Sequence, residues 1–314
     1  MIFVTLSSFG EYDDAPLREL RSYGAPLRVH ATGKRITTSE LLAQGQDATV
    51  VIAGVEPYDR ATLEALPNLK CICRLGVGVD AIDLEVAKSR GVAVTNTPDA
   101  PTAAVAELAL TMMLALCRNI PRQSVAARGR EWKRLEAHLL SGRRIGIIGL
   151  GRIGRRVAAL ARAVGAEVWG VDPFIDPDWC SNHEVRPASF DDVITSCDVI
   201  SIHAARATGA PLRIGAQEIS RMRAGAILIN LGRGEMVDDE ALYAGLSSGH
   251  LFGAGLDVYP KEPYAGPLCE LDNVILTPHS ATLTVETRSA MERECVRKAL
   301  AFLDGKLTSE DRIQ

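Results

Sequence analysis

The stretch Arg144–Asp172, RIGIIGLGRIGRRVAALARAVGAEVWGVD, decides how the rest of the chain is read. A short apolar run (Ile145, Ile147, Ile148) leads into Gly149-Leu150-Gly151-Arg152-Ile153-Gly154. Ile153, Val157, Leu160 and Val164 then recur at steps of three and four, so a helix follows the glycines. A second apolar run, Val168 to Val171, ends on Asp172. Strand, glycine turn, helix, strand and acid make up a unit that holds a dinucleotide. In it Gly149 makes the tight turn, Gly151 lets the backbone approach a pyrophosphate, and Gly154 lets the helix pack closely on the strand. The N–H groups and dipole of the helix start favour the anion. Asp172 lies roughly 20 residues beyond the glycines, where an acid can bond both hydroxyls of the adenosine ribose. A glycine turn alone also serves plain packing. The complete unit is what points to a cofactor.

Upstream, residues 1–98 alternate apolar runs with helical segments. Ile2–Leu6, Ala48–Ala53, Leu69–Leu75 and Val92–Thr95 read as strands, and Leu17–Tyr23, Ser39–Gln44, Tyr58–Ala65 and Leu84–Ser89 as helices, which predicts a parallel α/β sheet. Arg74-Leu75-Gly76-Val77-Gly78-Val79-Asp80 is a glycine loop straight after a strand. It is either a tight connection or a set of exposed N–H groups that holds a small anion. Strand alternation puts Arg74 beside this loop, where its fork either reaches a second anion such as a phosphate or pairs with Asp80 or Asp83.

Asn96-Thr97-Pro98-Asp99-Ala100-Pro101 marks a boundary. Ala103–Cys117 follows as a helix apolar on nearly every side, expected to be buried all round. One face covers the sheet that Ile145–Ile148 begins; the other packs against a second subunit or within the chain. Downstream, Asp198–His203, Ala226–Asn230, Gly253–Val258 and Val274–Leu276 read as strands, with helices at Ser189–Ile194 and Asp239–Ser247. Thr277-Pro278-His279 is the second boundary, and a helix capped by Thr284 runs from Val285 to Leu303. A domain of residues 99–284 is therefore inserted into a smaller one, 1–98 plus 285–314. Two crossings give a hinge and a cleft in which a ligand is expected.

Composition narrows the class. The chain has 314 residues, 47% hydrophobic and 24% charged, enough for sizeable cores. A formal net charge of −4 argues against nucleic-acid binding. No apolar run is long enough to span a bilayer, and MIFVTLSSFG lacks the basic region and cleavage pattern of an export signal. Seven cysteines are scattered without a C-x-x-C pair, which suits a reducing cytoplasm; Cys71 and Cys73 share one strand face and read as core. No metal site is expected.

Three residues could carry chemistry. Arg233 follows a strand in Asn230-Leu231-Gly232-Arg233-Gly234, where it offers a fork matched to a carboxylate. Glu262 lies between prolines in Tyr259-Pro260-Lys261-Glu262-Pro263, and His279 follows Pro278. Taken one at a time, a solvated arginine, a solvated glutamate and a structural histidine are the plain readings. Jointly they fit hydride transfer at a hydroxyl carbon: a histidine that moves the proton, a carboxylate that orients it, and a cation that holds the substrate.

The sequence resembles the D-isomer-specific 2-hydroxyacid dehydrogenase family along essentially its whole length. The resemblance rests on LGVGVDAID (75–83), GVAVTNTP (91–98), AVAELALTMMLALCR (104–118), GIIGLGRIGRRVA (146–158), AILINLGRGEMVDDEAL (226–242), GAGLDVYPKEP (253–263) and DNVILTPH (272–279). It implies a Rossmann-type doubly wound parallel sheet inserted into a smaller flavodoxin-like α/β domain. By that match Arg233 binds the substrate, Glu262 orients and His279 is the acid/base. Thr102, Arg152, Ile153, His203, Leu231, Gly232 and Ser280 join the glycines and Asp172 along NAD, and Asp257 meets the nicotinamide amide. Ala53, Gly54, Val77 and Gly78 join Arg233 and Arg74 around the substrate.

Within the family the chain looks most like short phosphoglycerate dehydrogenases and hydroxypyruvate or glyoxylate reductases. It departs from the pattern after His203, where AARATGAPLRIG (204–215) replaces a Pro-Leu-Thr type segment. It ends soon after the last helix, so no C-terminal regulatory domain and no serine feedback are expected. The expected protein is a cytoplasmic, NAD-dependent oxidoreductase of a small anionic 2-hydroxy/2-oxo acid pair, dimeric through residues 103–140. Two other readings stand beside it: a phosphite-type dehydrogenase, and an NAD(H)-sensing binding protein like the C-terminal-binding-protein corepressors. Glu262 speaks against a formate enzyme, for which the resemblance calls for glutamine.

Overall fold

Residues Met1–Pro101 and Leu283–Gln314 form one unit, and Thr102–Thr282 the other. The computed structural model describes residues 1–204 and 212–313. The chain passes from one unit to the other after Pro101 and again after Thr282, and Ala100 packs on the first unit's core.

In the first unit β1 (Ile2–Val4), β2 (Leu27–Val29), β3 (Val50–Ala53), β4 (Cys71–Arg74) and β5 (Ala93–Thr95) form a parallel sheet in the order β2-β1-β3-β4-β5. This is the flavodoxin-like order, with its switch point between β1 and β3. Alternation divides the side chains between two faces. Phe3, Val51, Ile72 and Val94 pack on one; Ile2, Val4, Ile52, Cys71 and Cys73 pack on the other. The second face is covered by Met291, Cys295, Val296 and Ala299 from the helix Val285–Leu303, which is why the last helix belongs with the first residues. Thr284 caps that helix by accepting from the Thr287 N–H.

In the second unit β6 (Arg144–Ile148), β7 (Glu167–Val171), β8 (Val185–Pro187), β9 (Val199–Ile202), β10 (Ala226–Asn230), β11 (Leu251–Leu256) and β12 (Val274–Leu276) form a parallel sheet, ordered β12-β11-β10-β9-β6-β7-β8. Strand order reverses between β6 and β9, the doubly wound arrangement. Register decides where function can sit. Ile148 pairs with Ile202, Ile202 with Asn230, Asn230 with Leu256, and Leu256 with Leu276. Five strands therefore end level, about 4.8 Å apart. The loops that follow them, from Gly149, His203, Leu231, Asp257 and Thr277, leave from one edge.

β2 and β8 escape a reading by apolar alternation. Each is a three-residue edge strand, and β8 ends on a proline that an edge tolerates. The helix Pro101–Cys117 differs from expectation in its surroundings. Met112 and Leu116 pack over Gly255 and Gly253 of β11, where a Cβ would lie 2.9 and 3.0 Å from them. Ala103, Glu107, Thr111 and Leu114, however, form an exposed stripe, so the helix is not buried all round in the single chain. Among the described residues no single helix is long and apolar enough to cross a membrane.

Candidate active site

The glycine turn after β6 separates its three glycines by what surrounds them. Gly149 has φ +95°, and a Cβ there would lie 2.6 Å from the Ala204 nitrogen. A Cβ on Gly154 would lie 1.9 Å from the Gly149 carbonyl oxygen, so helix and turn touch backbone to backbone. Around Gly151 no described residue comes within 4 Å of that position. Gly151 is the N-cap of the 12-residue helix Arg152–Ala163, which has no side-chain cap. No side chain caps its first N–H groups, and an uncapped helix start is where a pyrophosphate can be held.

Asp172 is tied to this turn. One carboxylate oxygen accepts the Leu150 N–H at 2.8 Å and the other the Phe174 N–H at 2.8 Å. Arg155, which the sequence reading passed over, ties the same region down. Its Nε donates to the Leu150 carbonyl at 3.0 Å, it pairs with Asp176 at 3.3 Å, and its guanidinium lies 4.7 Å over Trp179. Its only sequence signal is its place one helical turn after Gly151. Arg152 is exposed on the first turn, and Ile153 packs on the core.

His203 directly follows β9, with its N–H on the Ile148 carbonyl and Nε2 2.8 Å from Ser201 Oγ. Burial pulls its imidazole down to about 4, so it is neutral near pH 7. Its Nδ1 and the Thr102 hydroxyl are buried polar atoms without a hydrogen-bond partner among the described residues. Open Gly151, the uncapped helix start and these two atoms fit a bound dinucleotide. Most of the atypical segment after His203, residues 205–211, lies outside the described residues.

Three loops farther along the edge carry the other candidates. Fully buried Asn230 staples the first: its amide donates to the Arg233 carbonyl at 2.9 Å and accepts the Gly232 N–H at 3.1 Å. Leu231 turns into the core. A Cβ on Gly234 would lie 1.9 Å from the Tyr259 carbonyl carbon, so the Arg233 loop seats directly on the backbone of the loop that holds Glu262.

Asp257, 1% exposed, joins β11 to the histidine turn. Its carboxylate accepts the Thr277 hydroxyl at 2.6 Å, the Ser280 N–H at 2.8 Å and the Ala281 N–H at 2.9 Å. The Tyr259 hydroxyl lies 3.1 and 3.0 Å from the Leu256 and Thr277 carbonyls, while its N–H donates to Glu262 at 3.2 Å. His279, held at φ +51°, brings Nδ1 to 2.9 Å from one Glu262 oxygen and 3.1 Å from the other. With Nδ1 on the carboxylate, Nε2 is the nitrogen left to exchange a proton. Arg233, Glu262 and His279 are therefore carried on three loops locked to one another. Gly234 against Tyr259, Tyr259 on the Thr277 carbonyl and Thr277 on Asp257 do the locking, and nothing in their spacing announces it.

In the first unit the glycine loop after β4 is closed on itself. Gly76 has φ +144°, and a Cβ there would lie 2.2 Å from an Arg74 guanidinium nitrogen, so Arg74 folds over its own loop. Thr97 accepts the Gly76 N–H at 2.8 Å and Asn96 donates to the Val77 carbonyl at 2.8 Å. Val77 is exposed and Gly78 half-exposed. Asp83 caps the helix Leu84–Ser89. Ala53 is buried at the end of β3, and the Gly54 N–H donates to Glu56 at 3.1 Å.

Residues 110–281 match the model of the D-isomer specific 2-hydroxyacid dehydrogenase NAD-binding domain. Curated relatives include a D-3-phosphoglycerate dehydrogenase of Methanocaldococcus jannaschii, 38% identical over 88% of this chain and 53% of its own length. They also include a glyoxylate reductase of Thermococcus litoralis, 35% identical over 83% of this chain and 82% of that protein. A D-lactate dehydrogenase of Aquifex aeolicus, solved with NAD and lactic acid, is 29% identical and superposes with a TM-score of 0.85 over 98% of this chain and 96% of that one. The chain belongs to the D-isomer specific 2-hydroxyacid dehydrogenase family and carries its NAD-binding domain. It spans about half the length of the phosphoglycerate dehydrogenases it matches.

Proposed function

We propose that the protein interconverts a small D-2-hydroxy acid and its 2-oxo acid with NAD(H). The observation that carries the reading is the Glu262–His279 pair, 2.9 Å apart and locked to the Arg233 loop. NAD(H), when bound, supplies or accepts the hydride. Gly151 and the start of the helix Arg152–Ala163 hold its pyrophosphate, and Asp172 its ribose hydroxyls. Thr102, His203, Leu231, Gly232 and Ser280 line it, and Asp257 meets the nicotinamide amide. During oxidation Nε2 of His279 takes the hydroxyl proton; during reduction it returns one to the oxygen. Glu262 keeps Nδ1–H oriented and favours the imidazolium that forms. Arg233 holds the substrate carboxylate by its fork. In the first unit the backbone N–H groups of Val77 and Gly78 are assigned to the substrate carboxylate.

The test is NADH oxidation with glyoxylate, hydroxypyruvate and phosphohydroxypyruvate. Turnover of at least one is expected. Tight NADH binding with no turnover would point to nucleotide sensing, and NAD reduction by phosphite alone would point to the phosphorus oxyanion. The partner assignment is a second copy, supported by exposed Leu114, Ile120, Val125, Trp132 and Leu139 within residues 103–140. Light scattering is expected to give twice the chain mass, and Trp132→Asp to lower it. Free cysteines, all but Cys269 buried, fit a reducing cytoplasm.

A further inference from the structure

The glycine turn of the second unit is braced by an arginine that takes no part in hydride transfer. Arg155 lies on the first turn of the helix Arg152–Ala163, with its N–H on the Gly151 carbonyl at 2.9 Å. Long side chains on a helix lean back towards its start. This one does, and its Nε reaches the Leu150 carbonyl at 3.0 Å. That carbonyl shares a planar peptide with the Gly151 N–H, so Arg155 fixes the peptide at the open glycine. On its other side the Leu150 N–H donates to Asp172 at 2.8 Å. Both backbone polar groups of Leu150 are therefore held, one by Arg155 and one by Asp172.

The guanidinium also reaches past the turn. A terminal nitrogen meets one Asp176 oxygen at 3.3 Å, and the group lies 4.7 Å over Trp179. The other Asp176 oxygen caps the helix Pro177–Asn182 by accepting the Trp179 N–H at 2.9 Å. Asp176 closes the short segment that Asp172 opens, and the Phe174 N–H within it donates to Asp172 at 2.8 Å. Arg155 thus grips both segments whose N–H groups orient the Asp172 carboxylate. With the two side chains 35% and 44% exposed, the ion pair with Asp176 is worth little by itself. The fork matters because it spans two segments at once, which a compact ammonium does not.

From this we propose that Arg155 is a positioning residue that sets the preference for NAD over NADP by holding Asp172 in register with the pyrophosphate turn. The inference rests on Asp172 meeting the adenosine ribose, as proposed above. Sign separates it from a plain charge effect. Loss of a cation alone weakens the more highly charged NADPH more than NADH, whereas a loosened Asp172 narrows the gap between them.

The experiment measures Kd for NADH and NADPH by fluorescence titration of the full chain, with no substrate present. The variants are Arg155→Ala, Arg155→Lys, Arg156→Ala, Asp172→Ala and the double variant of Asp172→Ala with Arg155→Ala. Arg155→Ala and Arg155→Lys are each expected to lower the NADH preference about threefold or more, the size of coupling between residues in one network. Arg156 is the next residue along the helix and exposed, so its replacement removes the same charge without touching the turn and is expected not to lower the preference. Arg155→Ala added to Asp172→Ala is expected to leave the ratio where Asp172→Ala put it, because Arg155 acts through that acid. Equal weakening of both nucleotides in the two Arg155 variants would assign Arg155 to structure and overturn the proposal. An equal fall in Arg156→Ala, or a further shift in the double variant, overturns it too. If Arg155→Ala shows no melting transition, Arg155→Lys decides. An unmutated protein without NADH preference would remove the Asp172 reading, and this proposal with it. A preference that Asp172→Ala abolishes but both Arg155 variants keep sinks this proposal alone.

Discussion

Both sheets end in a glycine turn at their carboxyl edge, Gly149–Gly154 after β6 and Gly76–Gly78 after β4. In the first, Gly149 and Gly154 are consumed by backbone contacts and Gly151 faces open space. In the second, the room beside Gly76 is taken by Arg74, and Thr97 and Asn96 bond the loop's own N–H and carbonyl. A 12-residue helix starts directly from the first turn, whereas the helix after the second begins only at Leu84 under an aspartate cap. Glycine spacing specifies close approach. Whether a ligand or the chain itself makes that approach depends on what lies beside the glycine.

The largest expected effect tests whether chemistry resides in the second unit alone. His279→Ala is expected to lower kcat by about 10² to 10⁴, the worth of a general acid–base. NADH affinity, measured by fluorescence titration, is expected to stay within about threefold, because the pyrophosphate turn is elsewhere on the edge. Loss of both would mean that His279 shapes the cofactor site as well.

Next come the glycines. Gly154→Ala puts a methyl onto the Gly149 carbonyl, and a drop in melting temperature with NADH binding abolished is expected. Gly151→Ala meets no atom, so the melting temperature should hold while NADH binding weakens by about tenfold. Equal effects of the two substitutions would erase the distinction between packing and ligand glycines.

With the cofactor held as proposed, Asp172 would face the extra phosphate of NADP, and repulsion between like charges at about 4 Å is worth more than tenfold. A clear NAD preference in kcat/KM is expected, falling to within about threefold in Asp172→Ala. Equal efficiency with NADP in the unmutated protein would break the assignment. The filled loop gives a smaller effect. Arg74→Ala is expected to lower kcat/KM a few-fold, equally for glyoxylate and phosphohydroxypyruvate, because a loop loses its packing. A loss confined to phosphohydroxypyruvate would restore Arg74 as a phosphate ligand.

The smallest effect is on stability. His203 binds its proton only near pH 4 in the folded unit, but from about 6.5 when unfolded. The unfolded chain thus holds more protons in that window, and stability falls as pH drops through it. Chemical denaturation at stepped pH should show this slope, and His203→Gln should flatten it.

The nucleotide turn was legible because its parts are contiguous: strand, glycines, helix and Asp172 lie within one stretch, and each has a local period or spacing. Arg233, Glu262 and His279 were legible as members of a pattern, but the contact of Glu262 with His279 and the seating of the Arg233 loop beside them were not. It follows from five level strand ends, from Gly234 seated on Tyr259, and from the Asp257 carboxylate gathering Thr277, Ser280 and Ala281. β2 and β8 were missed because a three-residue edge strand has too few positions to show alternation. Sequence alone determined the fold class and the NAD-binding family, because local periodicity and glycine geometry act within a few residues. Tertiary structure decided which glycine turn stays open, which contacts lock the three candidate loops, and that an acid at position 56 is buried at a switch point. Those depend on atoms brought together from strands far apart in the chain, and no local pattern encodes them.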